Sequence, residues 1–354
     1  MSTVHPRLVA LVSIVFAVVL SDVVATPAHA EFQEVASFTA DSLTLENLIG
    51  EIRVEGGGAE FRVEVDVRGR DASKESIRIT KKDGPEATLT VRFPLDTERR
   101  YVYPRLGSGS KSTFEPNSGL KKIFGAGKIK VSGSGSGLEV WADAKVTVPP
   151  GESLRIRHGF GSVAVSNVDG TIDVRVQSGA VSADGVRGGL SVDTGSGRVE
   201  VADAEGPLKI DTGSGRVVLS RAQGPELEVD TGSGSVEVDS VTCDRLSIDT
   251  GSGSVRASAI RAEKVSIDTG SGSVELRLDE SGDVDVDTGS GSITLVLPAD
   301  ASARIEAETG SGGIRVGREG VELLRQDRDH VSVKIGDGAA HVSLQTGSGS
   351  IKIK

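Results

Sequence analysis

One short motif recurs through the C-terminal part of the chain at an almost constant interval. The motif is Thr-Gly-Ser-Gly, and it begins at Thr194, Thr212, Thr231, Thr250, Thr269, Thr288, Thr309 and Thr346. The successive intervals are 18, 19, 19, 19, 19, 21 and 37 residues, with a mean of 19 if the last interval spans two periods. A fixed period of this size is typical of a solenoid, because propeller blades need periods about twice as long.

Each period contains two short strand patterns separated by a tight turn. Leu246 and Ile248 alternate with polar residues before the turn, and Val255 begins the alternating segment after it. Alternation of apolar and polar residues with a period of two indicates a strand with one buried face. The glycines between the strands suit a sharp corner, because they have no Cβ atom.

Two topologies are consistent with this pattern. An antiparallel meander would close a hairpin at each motif, but its single long sheet would leave one apolar face uncovered. A parallel solenoid folds its two apolar faces onto each other and stacks equivalent residues of successive coils, and parallel crossovers are almost always right-handed. The predicted fold class is therefore all-β: a right-handed parallel β-solenoid with two-strand coils of about 19 residues and an irregular β N-terminal cap.

The chain divides into three predicted segments. Residues 1–30 form a signal peptide, residues 31–145 form the irregular β cap that covers the first coil, and residues 146–354 form the solenoid repeat domain. The cap segment contains alternating stretches such as 61–67, but they do not repeat. Residues 99–130 are rich in Gly, Ser and Lys, which predicts a mobile insertion within the cap.

The first thirty residues determine the predicted location. His5 and Arg7 precede an apolar run over 8–20, and small residues then lead to Ala28-His29-Ala30. A positive start, a short apolar run and an A-x-A site match a secretory signal peptide. A membrane span needs about 20 apolar residues, so an uncleaved anchor is the less fitting alternative. The mature chain is expected to begin at Glu31, to be periplasmic or extracellular at the cell surface, and to have no transmembrane span.

Composition excludes several classes of protein. The net charge is −11, whereas a nucleic-acid-binding protein needs a basic face. A single cysteine, Cys243, excludes an intrachain disulfide framework and any CxxC metal site. Aromatic residues make up only 3% of the chain, too few to fill the core of a compact enzyme.

An acidic residue precedes the motif in most copies. The aspartates of this group are Asp193, Asp211, Asp230, Asp249, Asp268 and Asp287. Asp-Thr-Gly-Ser is also the signature of aspartic proteases, which need two carboxylates sharing a proton in a closed site. Tandem copies instead place the aspartates about 4.8 Å apart in an open column, so we predict a structural column at the turns.

Two roles for this column fit the sequence. Each carboxylate can accept a hydrogen bond from the N–H groups of its own turn, as in Asx turns. Alternatively, the column can bind a hard cation such as Ca²⁺, which takes six to eight oxygen ligands. The glycine- and aspartate-rich nonapeptide of calcium-binding β-rolls is absent from the sequence. Turn capping is the favoured interpretation, and we predict no catalytic residue, metal or cofactor.

Two further clusters have alternative interpretations. A metal cluster is conceivable from His330, His341, Asp327, Asp329 and Asp337, but the spacing matches no standard ligand pattern and a solvated loop explains it better. The basic stretch contains Arg99, Arg100, Arg105, Lys121, Lys122, Lys128 and Lys130, with Tyr101, Tyr103, Phe114 and Phe124 nearby. It either contacts an anionic glycan or lipid surface or is a solvated mobile loop, and the loop is favoured.

The sequence resembles a bacterial family of β-solenoids known as putative adhesins, a domain of unknown function. The residues that carry the resemblance are 47–54, 146–151 and the coils of the form T-x-S-G-x-[IV]-x-[VIL]. The resemblance covers the mature chain and implies an exported or envelope-associated β-solenoid. It implies no catalytic residue.

Three functional hypotheses follow. The first is a non-enzymatic exported structural or interaction protein, adhesin-like, whose outer faces contact a surface, polysaccharide or protein partner. The second is a polysaccharide-active β-helix enzyme such as a lyase, which would need long loops and a clustered acid–base set. The third is a sensing or scaffolding component of an envelope stress system, suggested by export and family analogy alone.

Overall fold

The computed structural model describes residues 32–117 and 119–354, so the predicted signal peptide lies outside the described residues. Short strands build the first part of the described chain: β1 (Phe32–Phe38), β2 (Ser42–Ile49), β3 (Ile52–Gly56), β4 (Phe61–Arg68), β5 (Arg78–Lys82), β6 (Glu86–Arg92), β7 (Arg100–Val102), β8 (Lys111–Phe114) and β9 (Ile129–Ser132). The helical elements of the described chain are a 3₁₀ turn, Pro104–Leu106, and a single turn of α-helix, α1 (Lys121–Phe124).

Strands continue to the C-terminus. The first of them are β10 (Trp141–Val148), β11 (Ser153–Phe160), β12 (Val163–Ser166), β13 (Thr171–Ser178), β14 (Val181–Asp184), β15 (Leu190–Thr194), β16 (Val199–Glu205), β17 (Leu208–Ser214), β18 (Val217–Ser233), β19 (Val236–Thr250) and β20 (Val255–Ser271). The last are β21 (Val274–Leu278), β22 (Asp283–Ser290), β23 (Ile293–Val296), β24 (Ala303–Ser311), β25 (Ile314–Val316), β26 (Val321–Gln326), β27 (His330–Ile335), β28 (Ala340–Ser348) and β29 (Ile351–Ile353).

The repeats stack as parallel coils in register, which confirms the predicted solenoid and excludes the meander. Ile248, Asp249 and Thr250 pair with the residues 19 positions later, Ile267, Asp268 and Thr269. Face A is built from the strands that lead into the Thr-Gly-Ser-Gly corner: β2, β11, β13, β15, β17, the second parts of β18 to β20, β22, β28 and β24. Face B is built from the strands that follow it: β3, β12, β14, β16, the first parts of β18 to β20, β21, β23, β29 and β25.

The core lies between the two faces. Val255, Ile267 and Val274 are each about 1% exposed, so the inward assignment from alternation is correct. Equivalent apolar residues of neighbouring coils stack on them in continuous columns, because the pairing register keeps every inward position inward.

The coil turns at a second corner after face B. In five coils the turn residue there has a left-handed conformation without being glycine: Asn167, Asp203, Arg221, Ser240 and Ala259, with φ between 50° and 58°. This conformation is uncommon for residues other than glycine. The regular stacking of the coils holds it in place, and the chain continues towards face A as one long strand in β18, β19 and β20.

The N-terminal end combines one regular coil with antiparallel strands. β2 and β3 stack in register under β11 and β12, so residues 42–56 already form a coil inside the segment expected to be an irregular cap. Beyond this coil, β6 pairs with β2 and β10 pairs with β3, both in parallel. The outer strands then pair antiparallel: β5 with β6, β4 with β10, and β1 with β4. A change to antiparallel pairing stops the stacking of further coils.

At the C-terminal end, the order of coils in space differs from their order in the chain. β28 lies between β22 and β24, and β29 lies between β23 and β25. The last coil of the chain is therefore inserted between the two coils that precede it. The interval of 37 residues does not represent two stacked periods, because it contains the antiparallel strands β26 and β27, which extend face A beyond β24.

Candidate functional site

The most regular surface of the molecule is the Thr-Gly-Ser-Gly corner, where the side chains of each motif have different environments. The aspartates are exposed, except for the half-buried Asp193. The threonines are buried, with at most 4% exposed. The serine of the motif is half-buried at Ser196 and exposed in every copy from Ser214 onwards. Most corners thus present a carboxylate and a hydroxyl to solvent and direct a second hydroxyl inward, whereas the corner at Thr346 has the neutral Gln345 in place of the carboxylate.

The inward threonines connect neighbouring coils. The Oγ1 atom of Thr269 donates to the carbonyl oxygen of Gly253 at 3.1 Å, and that of Thr288 donates to Gly272 at 3.0 Å. In each case the acceptor is the second glycine of the preceding corner. Two threonines differ: the Oγ1 atoms of Thr212 and Thr231 are buried with no hydrogen-bond partner. The threonine column therefore stabilises some corners by hydrogen bonds and others only by packing.

The second glycine of each corner is required by close approach. A Cβ atom on Gly253 would lie 1.8 Å from the carbonyl oxygen of Gly234 in the coil below, and one on Gly234 would lie 1.9 Å from that of Gly215. A backbone contact of this kind cannot move aside without separating the coils. The glycines are therefore explained by the close stacking of the coils.

The turn N–H groups donate to the next coil. The N–H of Gly197 donates to the carbonyl of Ser214 at 3.0 Å, and the N–H of Gly291 donates to that of Ser348 at 2.9 Å. Within residues 32–117 and 119–354, none of the six aspartate side chains accepts a hydrogen bond from its own corner. The bonds required for turn capping are missing, because the N–H groups that would donate them already bridge the coils.

The aspartates form one exposed column whose members influence one another. The pKa values of Asp211, Asp249 and Asp287 are raised, first by partial burial and then by the charges of neighbouring aspartates. Asp193 has a basic neighbour, Arg175, with Nε 3.9 Å from its carboxylate. The column is thus a ladder of like charges, with Arg175 beside its N-terminal member and Lys209 near Asp211.

The inserted coil changes the other end of this ladder. Asp287 pairs with Gln345, and Gln345 pairs with Glu308, so a neutral amide separates the last two carboxylates. His330 follows, with Nδ1 2.8 Å from a Glu308 carboxylate oxygen and Nε2 3.0 Å from a Glu306 oxygen. His330 is thus paired with two glutamates that the sequence analysis did not connect to it.

The conceivable metal cluster near residues 327–341 is not assembled. His341 is exposed, and its backbone N–H donates to Asp283 at 2.8 Å. The two histidines lie near different ends of β24. His330 pairs with Glu308 across the sheet, and His341 pairs with Arg304. Among the described residues, no group of three or more His, Cys, Asp or Glu side chains is arranged to hold a metal ion.

The expectation of a mobile insertion over 99–130 is wrong. β7, β8 and β9 form a small separate sheet, and Tyr101, Tyr103, Phe114 and Phe124 are buried in it or against the cap. Arg105 anchors the segment through two hydrogen bonds to Asp143, at 3.1 and 3.0 Å. Burial of the aromatic rings provides a core that the Gly, Ser and Lys content did not indicate. The lysines are exposed, but the aromatic partners expected to accompany them at a binding surface are not.

His158 is a buried polar residue that the sequence analysis did not single out. It occupies the threonine column, since it pairs with Val176, which pairs with Thr194. Its Nδ1 and Nε2 atoms each lie 3.0 Å from a backbone carbonyl, those of Asn47 and Gly50. Burial lowers its pKa to about 4. His158 joins the first coil to the solenoid, and only the register of the strands reveals its position.

The second corner forms an open groove of about 570 Å³ along the solenoid. Arg221 lies in it and forms two hydrogen bonds of 2.7 Å to the carboxylate of Asp203 one coil away. Arg187 and Glu205 form a looser pair, 3.7 Å apart. The groove was not predicted, because the left-handed residues that shape it share no residue type.

The described residues contain no helix long and apolar enough to cross a membrane. A model of the Toastrack DUF4097 family matches residues 146–354, which is more than half of the chain. The chain belongs to the Toastrack DUF4097 family. The resemblance inferred from the sequence, to a solenoid family of unknown function, is confirmed by this match. No curated protein matches the sequence.

Several solved structures are similar to the Toastrack chain at low identity. A putative adhesin from Parabacteroides merdae is 12% identical with a TM-score of 0.40, and the match covers 91% of this chain and 95% of that one. A putative adhesin from Bacteroides fragilis is 12% identical with a TM-score of 0.33, covering 92% and 99%. A putative cell adhesion protein from Clostridium sporogenes is 13% identical with a TM-score of 0.21, covering 91% and 98%.

Proposed function

We propose that this chain is an exported, non-enzymatic interaction protein that presents repetitive outer faces to an envelope component, a polymer or a protein. One observation carries the proposal. The same side chains recur on the surface at each step of the stack, in strict register from coil to coil. A regular array of this kind suits a partner that is itself extended, because many weak contacts then add through multivalency.

Two parallel columns offer such contacts at the Thr-Gly-Ser-Gly corner. The aspartate column presents carboxylates on face A. At the start of face B lies a serine column, in which Ser235, Ser254 and Ser273 are exposed. Between the two columns each corner carries two glycines and one small exposed serine, with the threonine directed inward, so the backbone of a partner can approach the edge closely. The carboxylates favour cationic groups, and the hydroxyls favour neutral polar groups.

The arrangement of the histidines supports a binding role over polysaccharide cleavage. His158 is buried, His330 is paired with glutamates at the C-terminal end of the stack, and His341 is exposed on β28. A lyase-like site needs its acid and base within reach of one substrate atom. The corners that could form a substrate cleft are short in most coils.

The location and domain organisation belong to the same proposal. We infer that residues 1–30 direct export and are removed, that residues 31–145 form the cap together with the first coil, 42–56, and that residues 146–354 form the remainder of the repeat domain. N-terminal sequencing of exported material tests the first point, with Glu31 as the expected start. A chain that retains Met1 in a membrane fraction would contradict it.

Binding to purified peptidoglycan, envelope polysaccharide, lipid vesicles and an envelope protein extract tests the proposed function. The native chain is compared with Asp230→Asn/Asp249→Asn/Asp268→Asn, which neutralises the aspartate column. The matched control is Ser235→Ala/Ser254→Ala/Ser273→Ala, which alters the parallel column without changing charge. We expect binding to at least one probe and selective loss in one of the two variants. Binding to no probe, or release of cleaved polysaccharide by the native chain, would reject the proposal.

A further inference from the structure

Face A ends at a strand whose outer edge is open. β26 pairs with β27 and, within the part of the chain that the structure describes, with no other strand. Leu323 and Leu324, which are consecutive in β26, are 55% and 42% exposed. Val35 is the one other large apolar residue of the described chain with comparable exposure. Edge strands are usually protected by charge, proline or covering segments, because unpaired main-chain groups attract a further strand.

The apolar core also reaches the solvent at this end. Leu323 lies opposite the buried Val333, so it belongs to the inward side of face A. On face B the final strand is β25, and its Ile314 and Val316 are only half-buried. A solenoid needs its terminal coil covered. The N-terminal end has such a cover in its antiparallel strands, whereas Leu323 remains exposed at the C-terminal end.

The sequence of β26 is complementary to itself when read antiparallel. In a two-fold symmetric pair, if residue i of the first copy faces residue j of the second, then residue j of the first copy also faces residue i of the second. With the axis between Leu323 and Leu324, these leucines face each other, and Glu322 faces Arg325 of the second copy. A shift of the axis onto either leucine removes both ion pairs. The β26–β27 register is interrupted by a bulge between Leu323 and Arg325. Glu322 pairs with Lys334 and Arg325 pairs with Ser332, and these two partners are two residues apart on β27. The bulge therefore places Glu322 and Arg325 on the same side of the sheet, so that they can face each other across the axis.

The charged residues are available for this pairing. Glu322 and Arg325 are exposed. Arg325 contacts Asp327 of its own chain at 2.6 Å, but an exposed pair of this kind is easily exchanged. Cross-strand pairs of opposite charge stabilise antiparallel strands, whereas like charges in the same position destabilise them.

We propose that the chain forms a homodimer through its C-terminal end, in which two β26 strands pair antiparallel across a two-fold axis centred between Leu323 and Leu324. The two face A sheets become one continuous sheet through the dimer, and the exposed leucines of each copy cover the open end of the other. The inference is independent of the proposed function. A dimer would double the number of corner columns that one particle presents.

Sedimentation velocity of the full exported chain tests the proposal, and we expect a dimer at micromolar concentration. Glu322→Arg and Arg325→Glu each replace two attractive pairs with two repulsive ones and should weaken dimerisation by about tenfold or more. A mixture of these two variants should form a heterodimer, because their β26 strands are complementary to each other. The double variant Glu322→Arg/Arg325→Glu should dimerise like the native chain.

Two controls make the result specific. Glu263→Arg changes the net charge equally at an exposed position within the solenoid, and it should leave the dimer unchanged. Circular dichroism verifies that each variant retains its β structure. A native chain that stays monomeric would overturn the proposal, and so would a dimer that is insensitive to both charge reversals or variants that fail to form the heterodimer.

Discussion

The threonine column offers a test in which two identical substitutions should have different effects on stability. Thr288 and Thr231 occupy equivalent positions, and each is fully buried. The Oγ1 atom of Thr288 donates to the Gly272 carbonyl at 3.0 Å, whereas that of Thr231 has no hydrogen-bond partner. Substitution with valine preserves the shape of the side chain and removes the hydroxyl. Val176 already occupies this column in the native chain.

The magnitudes follow from the hydrogen bonds. Thr288→Val removes the hydroxyl that donates to the half-buried Gly272 carbonyl and should lower the free energy of unfolding by about 0.5–1.5 kcal/mol. Thr231→Val removes a hydroxyl that is buried and unpaired, so it should be neutral or stabilising by up to about 1 kcal/mol. Because volume and burial are matched, the difference between the two variants isolates the hydrogen bond.

Urea denaturation followed by far-ultraviolet circular dichroism measures both variants against the native chain. The comparison requires that the dependence of the unfolding free energy on urea be the same in all three. Equal losses in the two variants would refute the reasoning, because they would show that the hydroxyl contributes through something other than its bond to the neighbouring coil.

Three further predictions concern the core, the corner and the buried histidine. Ile267→Asp places an unpaired charge in the core and should cost several kcal/mol; an unchanged thermal melt would show that Ile267 is not inward. Gly253→Ala should be strongly destabilising, because its Cβ would meet the Gly234 carbonyl at 1.8 Å, whereas Gly313→Ala has open space and should be tolerated. Equal melting temperatures for the two alanine variants would contradict the stacking explanation. Burial lowers the pKa of His158 from 6.5 to about 4, so its contribution to stability is complete above about pH 6.5 and is lost as the pH falls towards about 4. Denaturation across this range should show a weaker pH dependence in His158→Gln, and an unaltered dependence would assign the effect to other groups.

Much of the fold could be predicted because each coil repeats the same local pattern. Alternation places Ile267 inward and Asp268 outward wherever the strand is paired, and the glycines mark the corner in every copy. The aspartates are at the surface as predicted from this alternation. Their hydrogen-bonding role could not be predicted, because it depends on which acceptor in the next coil takes the turn N–H groups.

The sequence also did not predict the small sheet within residues 99–130. Gly, Ser and Lys are frequent in this segment, and its apolar residues have no regular spacing. They become a core only because the cap and β10 bring Trp141 to Tyr103, with ring centroids 5.7 Å apart. Contacts between segments so distant along the chain leave no local signal in either one.

The sequence by itself determined the period, the two-strand coil and the side of each strand that is buried, because these follow from local alternation and turn chemistry. Tertiary structure alone decided which coils are neighbours. Near-identical repeats present near-identical edges, so local pattern cannot distinguish one neighbour from another. The insertion of β28 between β22 and β24 is the clearest case. It places Gln345 between Asp287 and Glu308 and leaves β26 as the last strand of face A, where the open edge arises.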